Sequence, residues 1–107
     1  FAGDVLDAQG RAELAEVGSM KTGAASGTVS PEDAHGFGLG VSAFTGKLGS
    51  GWTYEGESMG YRALYVYLPD RDLVATIAIN SGAEGEDDHA PQVLTQMLQT
   101  TLEAISP

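Results

Sequence analysis

The chain has 107 residues, with 15 Asp+Glu against 5 Lys+Arg and a formal net charge of −10. That length makes one domain or part of a larger one, able to bury roughly two-thirds of its unfolded surface. The absence of cysteine excludes disulfides and thiolate metal sites, and the acidity argues against nucleic acid or an anionic membrane as partner, since phosphate recognition needs a basic face.

No apolar run approaches the ~20 residues that span a bilayer. No signal-peptide pattern is visible; in a C-terminal fragment it would lie upstream. Phe1 is an unusual first residue and reads as the start of a cut or truncated product. His35 and His89 are far apart and outside any ligand-spaced motif, so both read as loop histidines.

In chain order, residues 5–18 read as a short helix, with Asp7 as N-cap and Gly18 as the C-terminal stop. Leu14 and Val17 share a face, and Gly10 weakens the helix. Residues 18–36, rich in Gly, Ser, Ala and Thr, read as a loop. Residues 37–44 (Phe-Gly-Leu-Gly-Val-Ser-Ala-Phe) alternate and predict a first strand. Its glycine face, Gly38 and Gly40, implies that another backbone or a helix packs closely there.

Thr45 to Gly51 reads as a turn. Trp52 to Glu57 is a second strand, Ser58-Met59-Gly60 a tight connection, and Tyr61 to Leu68 a third strand rich in aromatic and β-branched residues. Pro69-Asp70-Arg71-Asp72 has turn chemistry. Leu73 to Asn80 is a fourth strand, apolar on both faces apart from Thr76, which implies burial on both sides. Residues 82–89 form an acidic loop suited to a helix N-terminus. Residues 90–105 predict a helix with Val93, Leu94, Met97, Leu98, Leu102 and Ile105 on one stripe, and Pro91 in the first turn. The expected fold class is α+β: one domain over residues 1–107, a four-stranded antiparallel sheet with N- and C-terminal helices packed on it.

Five segments, taken in order, resemble the C-terminal third of the penicillin-recognising serine hydrolases. They are Phe37-Gly38-Leu39-Gly40-Val41, Tyr54-Glu55-Gly56-Glu57, Gly60-Tyr61-Arg62, Pro69-Asp70-Arg71-Asp72 and Ile79-Asn80-Ser81, with the C-terminal helix after them. That group comprises class C β-lactamases, D-Ala-D-Ala carboxypeptidases and related esterases and D-amino-acid peptidases. No single motif is decisive; the ordered series, over roughly residues 5–105, carries the resemblance. It implies a fragment of a β-lactamase-like fold.

The family site combines a Ser-x-x-Lys nucleophile and base, a Tyr-x-Asn motif, and a Lys-Thr-Gly or His-x-Gly triad on an edge strand. The chain has neither of the first two. The third has its counterpart in Tyr54-Glu55-Gly56. The resemblance implies that Tyr54 faces the reacting centre, that Gly56 lets substrate approach the backbone, and that the Glu57 backbone N–H is an oxyanion donor. It implies an acyl-enzyme mechanism without metal or organic cofactor, with the N-terminal remainder of the parent as partner and a small molecule or peptide as substrate. An extracytoplasmic or secreted parent is compatible with it. Glu55 and Glu57 would repel an anion, which favours an ester or amide substrate that is neutral or cationic over a penicillin.

Lys21-Thr22-Gly23 matches the lactamase triad letter for letter. The adjoining Ala-Ala-Ser-Gly-Thr segment has loop composition, so the match is read as coincidental. Ser19-Met20-Lys21 has the wrong spacing for a shared helix face. The plainer readings are a half-buried strand aromatic for Tyr54, solvated strand residues for Glu55 and Glu57, local charge balance for Arg62, and sheet-face packing for Trp52, Tyr61, Tyr65 and Tyr67, the last three facing a helix. The 84–88 acidic run reads as a helix cap in preference to a cation loop. The resemblance implies that missing strands of the parent pair with the 73–80 strand, so the isolated piece would expose it as an apolar edge and meet this by dimerisation, homo-oligomeric edge pairing or retention of the N-terminal piece. A different class of reading is a stand-alone, non-catalytic domain acting through protein contacts.

Overall fold

The computed structural model of the chain describes residues 3–25, 27–81, 85 and 88–105. The element order is α1 (Ala8–Ala15), β1 (Gly18–Ser19), β2 (His35–Phe37), β3 (Ser42–Gly46), β4 (Gly49–Ser58), β5 (Tyr61–Leu68), a 3-10 turn (Pro69–Arg71), β6 (Leu73–Ile79) and α2 (Ala90–Ile105). The strands follow one another across an antiparallel six-stranded sheet in the order β1-β2-β3-β4-β5-β6. The α+β class is as expected; the sheet has six strands and not four. The chain divides into two compact units, Phe1–Trp52 and Thr53–Pro107. No described helix is long and apolar enough to cross a membrane.

In the first unit Asp7 caps α1 as its sequence predicts, its carboxylate accepting from Gly10 N at 2.8 Å. The helix stops at Ala15, earlier than expected, and Gly18 belongs to β1. α1 itself carries no buried residue, so the expected N-terminal helix packed on a sheet gives way to a single anchor: Val17, just past its end, is buried. A Cβ on Gly36 would lie 2.8 Å from Val17 Cγ2, and one on Gly38 would lie 2.9 Å from Glu16 O. The expected close backbone approach is therefore found at Gly38 and also at Gly36.

Gly40 plays a different part. Its φ of +76° is a left-handed conformation that only glycine adopts without cost. The predicted 37–44 strand therefore folds back on itself: Gly38 N donates to Val41 O at 2.8 Å. β2 and β3 then pair with Phe37 opposite Ser42 and His35 opposite Phe44. His35 is accordingly a strand residue and not a loop histidine. β1 has two residues, too few for any periodicity to announce it; its pairing with β2 supplies its definition.

In the second unit β5 and β6 pair without a bulge from Arg62–Ile79 to Leu68–Leu73. The 3-10 turn closes this hairpin, with Asp72 left-handed at φ +46° and its N–H bonded to Pro69 O at 3.0 Å. α2 packs against β5 and β6. It buries Ala90, Leu94, Leu98 and Leu102, a row at i, i+4, i+8 and i+12. Val93, Met97 and Ile105, expected on the buried stripe, are exposed. A helix lying on a sheet hides a face narrower than the apolar stripe its sequence offers. On β5 the buried residues are Arg62, Val66 and Leu68, so the tyrosine face turns away from this core, contrary to the expectation that a helix covers Tyr61, Tyr65 and Tyr67. β6 alternates between half-buried and exposed positions. The expectation of burial on both faces fails: α2 packs against β6, one of its faces is half-buried, and the Val74, Thr76 and Ala78 face is exposed.

Candidate functional site

The candidate residues lie in the second unit, on β4, which runs into β5 through Met59 and Gly60. A triad strand passing straight into a hairpin is what the resemblance requires. The edge position it implies is not what β4 has: β4 lies between β3 and β5 in the sheet.

Side chains alternate along β4, and this separates the four candidates into two pairs. Tyr54 stacks on Tyr65 with ring centroids 6.4 Å apart, and a Cβ at Gly56 would lie 3.8 Å from the Tyr54 ring. Tyr54 and Gly56 thus share the tyrosine face, where Tyr54 is 43% exposed. Thr53, on the opposite alternation, donates its hydroxyl to Tyr65 O at 2.8 Å and ties β4 to β5 behind the Tyr54 ring.

Glu55 and Glu57 lie on the other face. Their carboxylates are 3.5 and 3.3 Å from Arg62 Nη1. Arg62 Nη2 donates to Asp88 Oδ2 at 2.5 Å, and Asp88 Oδ1 accepts from Ala90 N at 3.1 Å. One guanidinium therefore collects two strand carboxylates and the carboxylate that caps α2. The Arg62 side chain is 10% exposed and that of Asp88 17%, against 36% for Glu55 and 56% for Glu57. In that gradient the Asp88 contact is the strong one and the glutamate contacts are solvent-weakened. Arg62 Nε has no hydrogen-bond partner among the described residues.

This arrangement changes the electrostatic expectation. Glu55 and Glu57 do not stand beside Tyr54 as free repelling charges; the alternation of β4 puts them on the opposite face, where Arg62 pairs with them. The reading of Arg62 as a balance for local acid was legible from its acidic neighbours, but the identity of the main partner was not, because Asp88 is 26 positions away along the chain. Of the acidic loop, residues 82–84, 86 and 87 lie outside the described residues. Asp88 is the member whose capping role is seen.

Lys21 and Thr22 sit in a turn organised by the buried Ser19. The Ser19 hydroxyl accepts from Lys21 N at 3.1 Å and Thr22 N at 3.0 Å, and its carbonyl accepts from Gly23 N at 2.9 Å. The Lys-Thr-Gly triplet is a turn and not a strand. Among the described residues of the first unit, one surface depression is lined by Gly3, Val5, Leu6, Arg11 and Leu14 and another by Met20, Lys21 and residues 32–35. Neither includes a candidate residue. Among the described residues no group of His, Asp and Glu is placed to hold a metal ion.

No family model matches the chain, and no curated protein or solved structure is significantly similar to it.

Proposed function

We propose that this chain supplies one wall of a β-lactamase-related serine hydrolase and is inactive by itself. The observation that carries the reading is the sharing of one open sheet face by Tyr54 and Gly56, on a strand that passes directly into a hairpin. The ordered series of segments from Phe37 to Ser81 supports it. A serine supplied by the N-terminal remainder of the parent attacks an ester or amide carbonyl. Negative charge builds on the carbonyl oxygen, and the backbone N–H of Glu57 stabilises it. The Tyr54 hydroxyl joins the proton-transfer chain of the serine's base, and Gly56 leaves the strand backbone open to substrate. With Glu55 and Glu57 held by Arg62, this wall selects against carboxylate substrates less strongly than its sequence suggests.

Mass spectrometry and kinetics of the full expressed gene product test this. The expected result is a longer chain with an upstream Ser-x-x-Lys that hydrolyses short esters or amides through an acyl-enzyme. Tyr54→Phe should then lower kcat by about 10²-fold without loss of folding. A gene product that begins at Phe1, or a Tyr54→Phe enzyme of unchanged kcat, overturns the proposal. The first of those results would favour a non-catalytic domain acting through protein contacts.

A further inference from the structure

We propose that Tyr65 is a positioning residue for the hydrolase site: its ring fixes the rotamer of Tyr54, and with it the place of the Tyr54 hydroxyl. This role deepens the proposed function and rests on it. The contacts that carry it lie between β4 and β5, hydrogen-bonded neighbours in the sheet, and are made within this chain whatever else meets the sheet. On a strand, χ1 wells near about 180° and about −60° are both open to a tyrosine. The hydroxyl, at the far end of the ring, moves several ångströms between them. Tyr54 is 43% exposed, so burial does not choose its rotamer.

Two contacts choose it. A Cβ at Gly56 would lie 3.8 Å from Tyr54 Cε1, so the ring leans along β4 toward Gly56. Its centroid is 6.4 Å from that of Tyr65, with the rings 29° from parallel, inside the range in which aromatic pairs attract. A change of χ1 well carries the ring off this pair of contacts. Tyr65 is the firmer partner. It is half-buried, and its strand pairs it with Thr76 of β6. Its carbonyl accepts the hydroxyl of Thr53, the residue before Tyr54, at 2.8 Å. A proton-transfer group works only with its oxygen within hydrogen-bond reach of its partner. The fraction of molecules that hold Tyr54 in this rotamer therefore scales kcat. Substrate binding does not use that oxygen, so KM is left nearly as it is.

Kinetics of the full expressed gene product on a short ester test this. Tyr65→Phe keeps the ring and should leave kcat within about two-fold of the parent value. Tyr65→Leu and Tyr65→Val each put an apolar residue on the strand without the ring; circular dichroism verifies their folding, and either one suffices. The expected result is a kcat about three- to ten-fold lower, the range that loss of one aromatic pair allows, at nearly unchanged KM. In a Tyr54→Phe background the same change should cost nothing further, because the hydroxyl it positions is gone. NMR of labelled tyrosine should show one χ1 for Tyr54 in the parent and averaging in Tyr65→Leu. Three results overturn the positioning role and leave the hydrolase reading standing. They are a Tyr65→Leu enzyme of unchanged kcat where Tyr54→Phe is slow, a Tyr65→Phe enzyme as slow as Tyr65→Leu, and a Tyr65 effect that persists in full without the Tyr54 hydroxyl. A Tyr54→Phe enzyme of unchanged kcat overturns both.

Discussion

Arg62 and Asp88 meet at 2.5 Å, joining the start of α2 to the second residue of β5. The same aspartate accepts from Ala90 N. One carboxylate thus caps the helix and neutralises the buried guanidinium beneath it. Arg62→Ala leaves Asp88 without its cation in a mostly desolvated place. It should destabilise the second unit by roughly 2–4 kcal/mol. Glu57→Gln, at a largely exposed partner, should cost under ~1 kcal/mol. Urea unfolding of the two variants checks the order, and equal effects would contradict it.

Val17 and Gly36 form a second tight contact. Gly36→Ala should destabilise the first unit by about 1–3 kcal/mol through overpacking, since its new Cβ would sit 2.8 Å from Val17 Cγ2. Trimming the valine should relieve part of that cost, so the double variant Gly36→Ala, Val17→Ala should be more stable than the sum of the single effects. Gly38→Ala meets a backbone oxygen at 2.9 Å and gains no such relief. Thermal melts of the four variants measure the coupling.

On α2 the buried and exposed apolar rows make opposite predictions. Leu94→Ala removes a fully buried side chain and should cost about 2–5 kcal/mol. Met97→Ala lies outside the core and should change stability by no more than ~0.5 kcal/mol. Denaturation midpoints distinguish them, and a Met97 effect as large as that of Leu94 would place Met97 inside a buried contact.

Gly56→Ala separates fold from function. Its Cβ would meet the Tyr54 ring at an ordinary 3.8 Å, so stability should stay within ~0.5 kcal/mol of the parent value. If the Tyr54 face lines a hydrolase site, the added methyl stands where substrate approaches the strand. kcat/KM of the complete enzyme should then fall about ten-fold or more. An active Gly56→Ala enzyme with unchanged kcat/KM would remove Gly56 from the site.

Much of this structure is legible in the residues. β5, the Pro69–Asp72 turn and α2 appear at or near their expected bounds, because long apolar periodicity and proline-aspartate turn chemistry act locally. The cap at Asp7 is equally local. The sheet position of Tyr54 follows once β4 is known to be a strand.

The rest depends on which surfaces meet. Residues 37–44 alternate like a strand, yet Gly40 takes a left-handed φ and the segment becomes a hairpin; alternation reports which side chains differ in polarity, not whether the chain reverses. The apolar stripe of α2 is wider than the face that β5 and β6 hide, so packing alone selects Leu94 over Met97. β6 reads as doubly buried, but only one of its faces is half-buried and the other is exposed, since an apolar run does not say how many layers will cover it. The charge on Glu55 and Glu57 is written in the sequence. Its partners, a guanidinium on the neighbouring strand that also binds a carboxylate 26 positions farther along the chain, are not, because electrostatic partners are chosen by distance in space.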